Sequence, residues 1–421
     1  MSITSPSRNG SHNNGQNGNG RSREKPIIIV GAGPAGCLAA LYLAQQNVPV
    51  LLFEAGDGLP IDLRASTFHP PTLDILDRVG LTEKLISLGI LVHDYQYRDR
   101  QTNEIAKFSL KSLVGETNHP YRLQCEQFKM TRIVVDMLKD YKCATVKFGA
   151  RVTGFRELDD VVDVLYFQDG KEWREQGSFV IGADGANSVI RQSAGVLFEG
   201  LTYPERFLVV STQHPFENHF EDLSWVNYVS DPKEWCVLLK TVDLWRVLIP
   251  TPINDDPDKL LSDNFIENRL QRLCPKQTPY DIYHRTLYKV HQRVAETYRV
   301  GKRTLLVGDA AHINNPLGGM GMNGGLHDSI NLCEKLIKII HQGDDMDFLL
   351  DLYNRQRRGI CIDFIQSHTK RNKKLMEAMD EDIQRTRQRD FMRASSDPAL
   401  EKAFLMRNSM IDCLRDSYNI T

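Results

Sequence analysis

A chain of 421 residues is too long for one small core, so two or three folding units are expected. Hydrophobic residues make up 41% and charged residues 25%, the balance of a soluble globular protein; 52 basic against 54 acidic residues leave a formal charge of −2, which excludes an electrostatic nucleic-acid binder. Eight cysteines without any C-x-x-C pair suggest neither a disulfide framework nor a zinc site, so a cytoplasmic setting and no metal are expected.

Residues 1–25 hold no large apolar side chain after Ile3 and are rich in Asn, Gly and Ser, so they read as a disordered tail without the apolar run of a secretion signal. Residues 26–53 carry no charge, as a membrane span would, but Gly31, Gly33, Pro34, Gly36 and Pro49 cut them into strand, turn, helix and strand. Ile27 to Val30 suits a buried parallel strand, and Pro34 is acceptable in the first turn of the helix that follows. Between them, Gly31-Ala-Gly33-Pro-Ala-Gly36 is a G-x-G-x-x-G with a strand before and a helix after it. That context points to a dinucleotide whose pyrophosphate meets the helix N-terminus. A second strand, 50–53, ends in Glu54, placed to accept ribose hydroxyls; FAD and NAD both fit up to this point.

Further along, the apolar run 179–181 leads into Gly182-Ala-Asp184-Gly185-Ala-Asn187, which alone would be an ordinary turn. The residues around 208–212, 225–229, 235–240 and 245–249 alternate as strands of an antiparallel sheet. A strand at 304–307 runs into Gly308-Asp309, and a proline and three glycines then open a helix near Met322 and Asn323. Residues 346–421 look mainly helical, and the basic run at 370–374 is mixed with acids in the manner of a solvated helix face.

Together the Gly31–Gly36, Asp184–Gly185 and Gly308–Asp309 segments resemble the FAD-dependent aromatic hydroxylases, the single-component flavoprotein monooxygenases related to para-hydroxybenzoate hydroxylase. The resemblance spans about residues 26–345. It implies an α/β fold: a Rossmann-like FAD-binding domain drawn from 26–92, 122–204 and 293–345, a discontinuous antiparallel-sheet substrate domain from 93–121 and 205–292, and a helical C-terminal region, 346–421. It also implies that Gly31, Gly33, Ala35, Gly36 and Glu54 hold the ADP half of FAD and that Arg64 meets the pyrophosphate. Gln127 and Asp309 would reach the ribityl chain, and Asp184 and Gly185 would lie near the pyrophosphate. Pro316, Gly318, Gly319, Gly321, Met322 and Asn323 would lie against the isoalloxazine, where a helix N-terminus stabilises the negative charge of the reduced ring.

The reaction implied is reduction of FAD by NADH or NADPH, capture of O2 as a flavin C4a-hydroperoxide, and oxygen transfer to an electron-rich, phenol-type ring. Pro316 would shape the flavin side of the cavity. For the roof over it, Tyr97, Tyr228, His214 and Arg246 are the candidates, while His312 and His327 read as local hydrogen-bonding residues. Relatives often carry Pro-Pro at Asn315-Pro316, and the para-hydroxybenzoate enzyme has a hydroxyl residue at the position of Leu317, so a carboxylated benzoate is not implied. Partners are confined to a small aromatic substrate, with no nucleic acid, no integral membrane segment and a homodimer left open. Three other readings stay open: a flavin-dependent halogenase, since Trp245-Arg-Val-Leu-Ile-Pro250 keeps half of a W-x-W-x-I-P signature, an FAD-dependent reductase, and a ligand-binding protein without redox chemistry.

Overall fold

The computed structural model describes residues 25–61, 65–367, 369–371 and 381–421. All but Lys25 of the tail expected at 1–25, Arg64 and most of the basic run at 370–374 lie outside the described residues.

The uncharged stretch 26–53 folds as its glycines and prolines dictate. Ile27–Val30, Pro34–Gln45 and Val50–Phe53 form strand, helix and strand, and every residue of both strands is buried. Ile27–Val30 is the middle of a five-stranded parallel sheet ordered Thr304–Leu306, Phe179–Gly182, Ile27–Val30, Val50–Phe53, Ala144–Lys147. A parallel sheet is covered on both faces, which is why its strands are continuously apolar rather than alternating. Gly36 brings the helix close to the sheet, since a Cβ there would stand 2.0 Å from the Gly31 carbonyl oxygen.

Alternation returns in the second large sheet. Its eight strands run His312–Ile313, Ile282–Ala295, Phe198–Thr212, Trp245–Pro252, Cys236–Lys240, Val226–Ser230, Asp94–Asp99, Ile105–Ser109, antiparallel except where Val226–Ser230 meets Asp94–Asp99. Leu208, Val210, Val247 and Ile249 face one side and pack on Ile266 and Leu270 of the helix Asp263–Leu273. Phe207, Tyr228, Val237 and Leu248 face the other, together with Phe391, Leu405 and Ile411 of the C-terminal helices Glu381–Ser396, Pro398–Asn408 and Ile411–Asn419.

The strand expected at 208–212 is longer. It begins at Phe198 and pairs with Ile282–Ala295 over nearly its whole length, with a register shift between Thr202 and Arg206. Pro204 sits in that interval, and a residue without an N–H belongs where the ladder is already broken. The helix expected near Met322 begins two residues earlier, at Met320. Among the described residues, no helix is long and apolar enough to cross a membrane.

Candidate functional site

The two large sheets meet at a cavity of about 790 Å³. Its cofactor-side wall contains Gly31, Gly33, Ala35, Glu54, Gln127, Asp184, Gly185, Asp309, Pro316, Gly318, Gly319, Gly321 and Met322, and its roof contains Val226, Tyr228, Val237, Leu239, Leu248 and Tyr288.

The first turn is a cradle shaped by glycine for different reasons at different positions. Gly31 has φ +103°, and a Cβ there would lie 2.5 Å from the Ala183 carbonyl oxygen, so this residue joins the turn to the next strand. Among the described residues, Gly33 meets no protein atom within 4 Å of a Cβ position, and it lines the cavity. A side chain at Gly33 would therefore occupy ligand space, whereas Gly36 lies outside the lining and serves packing. The helix Pro34–Gln45 has no side-chain cap, which leaves its first N–H groups and its positive end for an anion.

Glu54 lines the same wall. Its Oε2 accepts from the Ala32 N–H at 3.0 Å and its Oε1 from the Gly56 N–H at 2.9 Å, which fixes the carboxylate beside the turn with lone pairs left for hydroxyl donors. Asp184 accepts from the Ile190 N–H at 3.1 Å through Oδ2, while its buried Oδ1 has no hydrogen-bond partner among the described residues. Burial raises its pKa. An orphaned carboxylate oxygen in the lining is what a ligand with hydroxyl or amide donors would satisfy.

The second turn closes the opposite side. Gly318 and Gly319 have φ +100° and +68°, and the helix Met320–Ile337 follows with no side-chain cap. Its N-terminus, like the first, opens on the cavity. The turn is clamped from behind: the Asn323 Nδ2–H groups donate to the carbonyls of Thr67 at 2.8 Å and Gly319 at 2.7 Å, and its Oδ1 accepts from the His69 N–H at 2.9 Å. The His69 Nε2–H donates to the Gly318 carbonyl at 2.8 Å. Asn323 thus lies behind the lining and serves the turn with its side chain. Asn315, where relatives often have proline, accepts from the Leu317 N–H at 3.1 Å and so shapes the turn by a hydrogen bond.

Asp309 is exposed in the lining, on a short turn fixed by buried charges. Asp328 accepts from His312 Nε2–H at 2.7 Å, Arg357 Nε–H at 2.7 Å and the Gly308 N–H at 3.2 Å. Burial opposes its ionisation, but His312 and Arg357 hold it down to about 2. Burial likewise opposes the charge on His312, yet Cys361 and Asp328 leave its pKa well above the ordinary histidine value. His327 differs: burial and Arg357 push it down to about 3, and its Nε2 meets the Thr72 hydroxyl at 2.8 Å.

The roof candidates are placed unequally. Tyr228 lines the cavity, and Tyr97 lies behind it, stacked at 4.9 Å on Tyr228 and at 4.0 Å on Phe391. Arg246 shares a strand with the lining residue Leu248, but its guanidinium pairs with Glu126 at 3.5 Å and does not line the cavity. His214 lies elsewhere, with its Nε2 3.8 Å from Cys274 Sγ. Those two and His219 bring donor atoms within 4.8 Å of one another, a trio whose spacing could hold a metal. Trp245 of the half signature packs on the face away from the cavity, and its indole N–H donates to Glu217 at 2.6 Å.

Arg122, Asn314 and Tyr288 also line the cavity and were not among the sequence candidates. The only cue to Arg122 was its place just before the helix that carries Gln127.

Comparison with known proteins gives the same outline. A family model described as an FAD binding domain matches residues 24–367. The chain is 33% identical over 390 residues to a para-nitrophenol 4-monooxygenase of a Pseudomonas species, covering 90% of this chain and 94% of that protein. It is 30% identical over 354 residues to a 6-hydroxy-3-succinoylpyridine 3-monooxygenase of Pseudomonas putida, covering 83% and 88%. The crystal structure of a p-nitrophenol 4-monooxygenase from Pseudomonas putida superposes with a TM-score of 0.87 at 29% identity, covering 93% of this chain and 98% of that one.

Proposed function

The chain belongs to the FAD-binding-domain family of FAD-dependent aromatic hydroxylases, and from that membership we propose an NAD(P)H-consuming monooxygenase that adds one oxygen atom from O2 to an electron-rich, phenol-type ring. One observation supports this most: two helix N-termini without side-chain caps open on a single cavity whose roof is lined mainly by apolar and aromatic side chains. A cofactor that is anionic at one end and gains negative charge at the other matches that pair of positive ends.

When bound, FAD supplies the electron transfer from NAD(P)H and the activation of O2. The residues of the chain bind, orient and shield. In this reading the N–H groups at the start of Pro34–Gln45 take the pyrophosphate, Glu54 takes the adenosine ribose, and Gln127 and Asp309 take the ribityl chain. Asp184 and Gly185 border the same path. The N–H groups that open Met320–Ile337 face the ring edge where reduction puts charge. Pro316, Leu317, Tyr228, Leu248 and Val290 exclude water from the reacting face and hold the aromatic substrate flat against it. The division into a cofactor domain (26–92, 122–204, 293–345) and a substrate domain (93–121, 205–292) belongs to this reading, supported by two sheets that meet at the cavity.

The relatives named for nitrophenol and hydroxypyridine oxidation make phenols and hydroxypyridines the first compounds to screen. Purified protein is expected to bind FAD, and a suitable phenol is expected to accelerate NAD(P)H oxidation with one 18O atom from labelled O2 in the product. Failure to reconstitute with FAD, or product oxygen derived from water, would refute the reading.

A further inference from the structure

We propose that Arg122 is the anion-binding residue of the substrate half of the cavity, and that the substrate presents an anionic oxygen to it: a carboxylate on a ring substituent or an ionised phenol. The inference rests on the hydroxylase reading above and names the class of ring that the site takes.

Arg122 lines the cavity and is only 2% exposed. Among the described residues, its one hydrogen bond is long, from Nη2–H to the Asn408 carbonyl at 3.5 Å, and its buried Nε has no partner. The guanidinium lies over the Tyr95 ring, 4.3 Å from the centroid. Among the described residues, no carboxylate stands within ion-pair distance of it. Other buried arginines are provided for. Arg357 pairs with Asp328, Arg246 pairs with Glu126, and Arg191 donates to the Ala310 and Ala186 carbonyls at 2.8 Å each. A buried cation without a counter-charge is strongly disfavoured, and a ring face beneath it replaces only part of its lost hydration. A ligand oxygen is the missing partner, and a guanidinium fork suits a carboxylate or phenolate better than a neutral group.

The position of Arg122 assigns that oxygen to the substrate and not to the FAD phosphates. Arg122 opens the strand Arg122–Gln124 and pairs in register with Val92. Its neighbours are Tyr95 of the eight-stranded sheet and Asn408 of the C-terminal helices, while the uncapped helix Pro34–Gln45 and Asp184 mark the phosphate path. Leu317 offers a substrate no hydroxyl, whereas Arg122 offers a buried cationic fork in this half.

The test compares wild type, Arg122→Met and Arg122→Lys. FAD affinity is measured by titration of apoprotein, and NAD(P)H oxidation is measured with matched pairs: hydroxyphenyl carboxylic acids against their amides, and phenols of graded acidity across pH 6 to 9. Wild type is expected to favour the anionic member of a pair by roughly 10- to 100-fold in kcat/KM, the size of a charge-assisted hydrogen-bond pair. In Arg122→Met that preference should collapse, mainly through KM, with FAD affinity unchanged. Arg122→Lys should retain part of it. A preference for acids that is constant with pH identifies a carboxylate, and one that follows the ionisation of the phenol identifies a phenolate. No anion preference in wild type, a preference that survives Arg122→Met, or a parallel loss of FAD affinity would each overturn the proposal. None of these touches the hydroxylase reading, which fails if wild type binds no FAD, if no phenol stimulates oxidation, or if the product oxygen comes from water.

Discussion

Replacing Asp328 by Asn is expected to destabilise the fold more than any change on the cavity surface. Asp328 is fully buried in the helix Met320–Ile337 and holds two cationic side chains and one backbone N–H. At an effective dielectric of about 20, opposite unit charges about 4 Å apart attract by roughly 4 kcal/mol, much of it offset by the cost of burying them. Removing the carboxylate leaves Arg357 buried without its counter-ion, and breaking such a pair costs about 3–5 kcal/mol, or roughly two to four orders of magnitude in the folding equilibrium. Asn can still accept one bond, but its amide N–H groups would face other donors.

The assay is equilibrium urea unfolding of apoprotein, followed by tryptophan fluorescence as a function of pH. Asp328 has a depressed pKa, so its contribution is present above about pH 4 and lost as pH falls toward 2. His312 has a raised pKa, so its contribution is present below about pH 6.5 and lost as pH rises through the higher folded value. The gap between wild type and Asp328→Asn should therefore be widest between about pH 4 and 6.5. A loss smaller than about 1 kcal/mol in that window would show that the buried charges do not act as a unit.

Asp309→Ala should weaken FAD binding by roughly 10- to 100-fold, one hydrogen bond to a charged group, with the apoprotein still folded; unaltered titration would remove Asp309 from the cofactor site. Gly33→Val should lower FAD affinity without lowering apoprotein stability, because its side chain enters open cavity, whereas Gly36→Ala should destabilise apoprotein through the contact with the Gly31 carbonyl. Equal effects on both measurements in the two variants would contradict this division. His327 should remain neutral at pH 5 in nitrogen-15 NMR, since its pKa is pushed down to about 3. It adds stability above about pH 6.5 that is lost as pH falls, the reverse of His312, and a charged ring at pH 5 would disprove the assignment.

Backbone requirements were the most legible part of the site. Gly31, Gly318 and Gly319 announce turns that other residues rarely adopt, Gly33 leaves space that a side chain would fill, and Asp309 follows a strand end where α/β sheets bind ligands. Strand alternation also located the roof and named Tyr228. It could not separate Tyr228 from Arg246, because which side chain reaches a cavity depends on partners such as Glu126, which belongs to another element. Arg122 was hidden for the opposite reason: what sets it apart is that no carboxylate among the described residues pairs with it, and that is a property of three dimensions. Asp328 reads in sequence as an ordinary helix residue, since His312 and Arg357 lie 16 and 29 positions away.

The roof of the cavity is laminated. Tyr228 forms its inner layer, Tyr97 the middle and Phe391 of a C-terminal helix the outer, with Phe108 and Phe404 stacked alongside at 4.3 Å. A ring pressed against the inner layer therefore leans on a side chain contributed some 160 residues later in the chain than Tyr228. Variation in the tail of the sequence can retune which rings the enzyme admits while leaving every cofactor-side residue untouched.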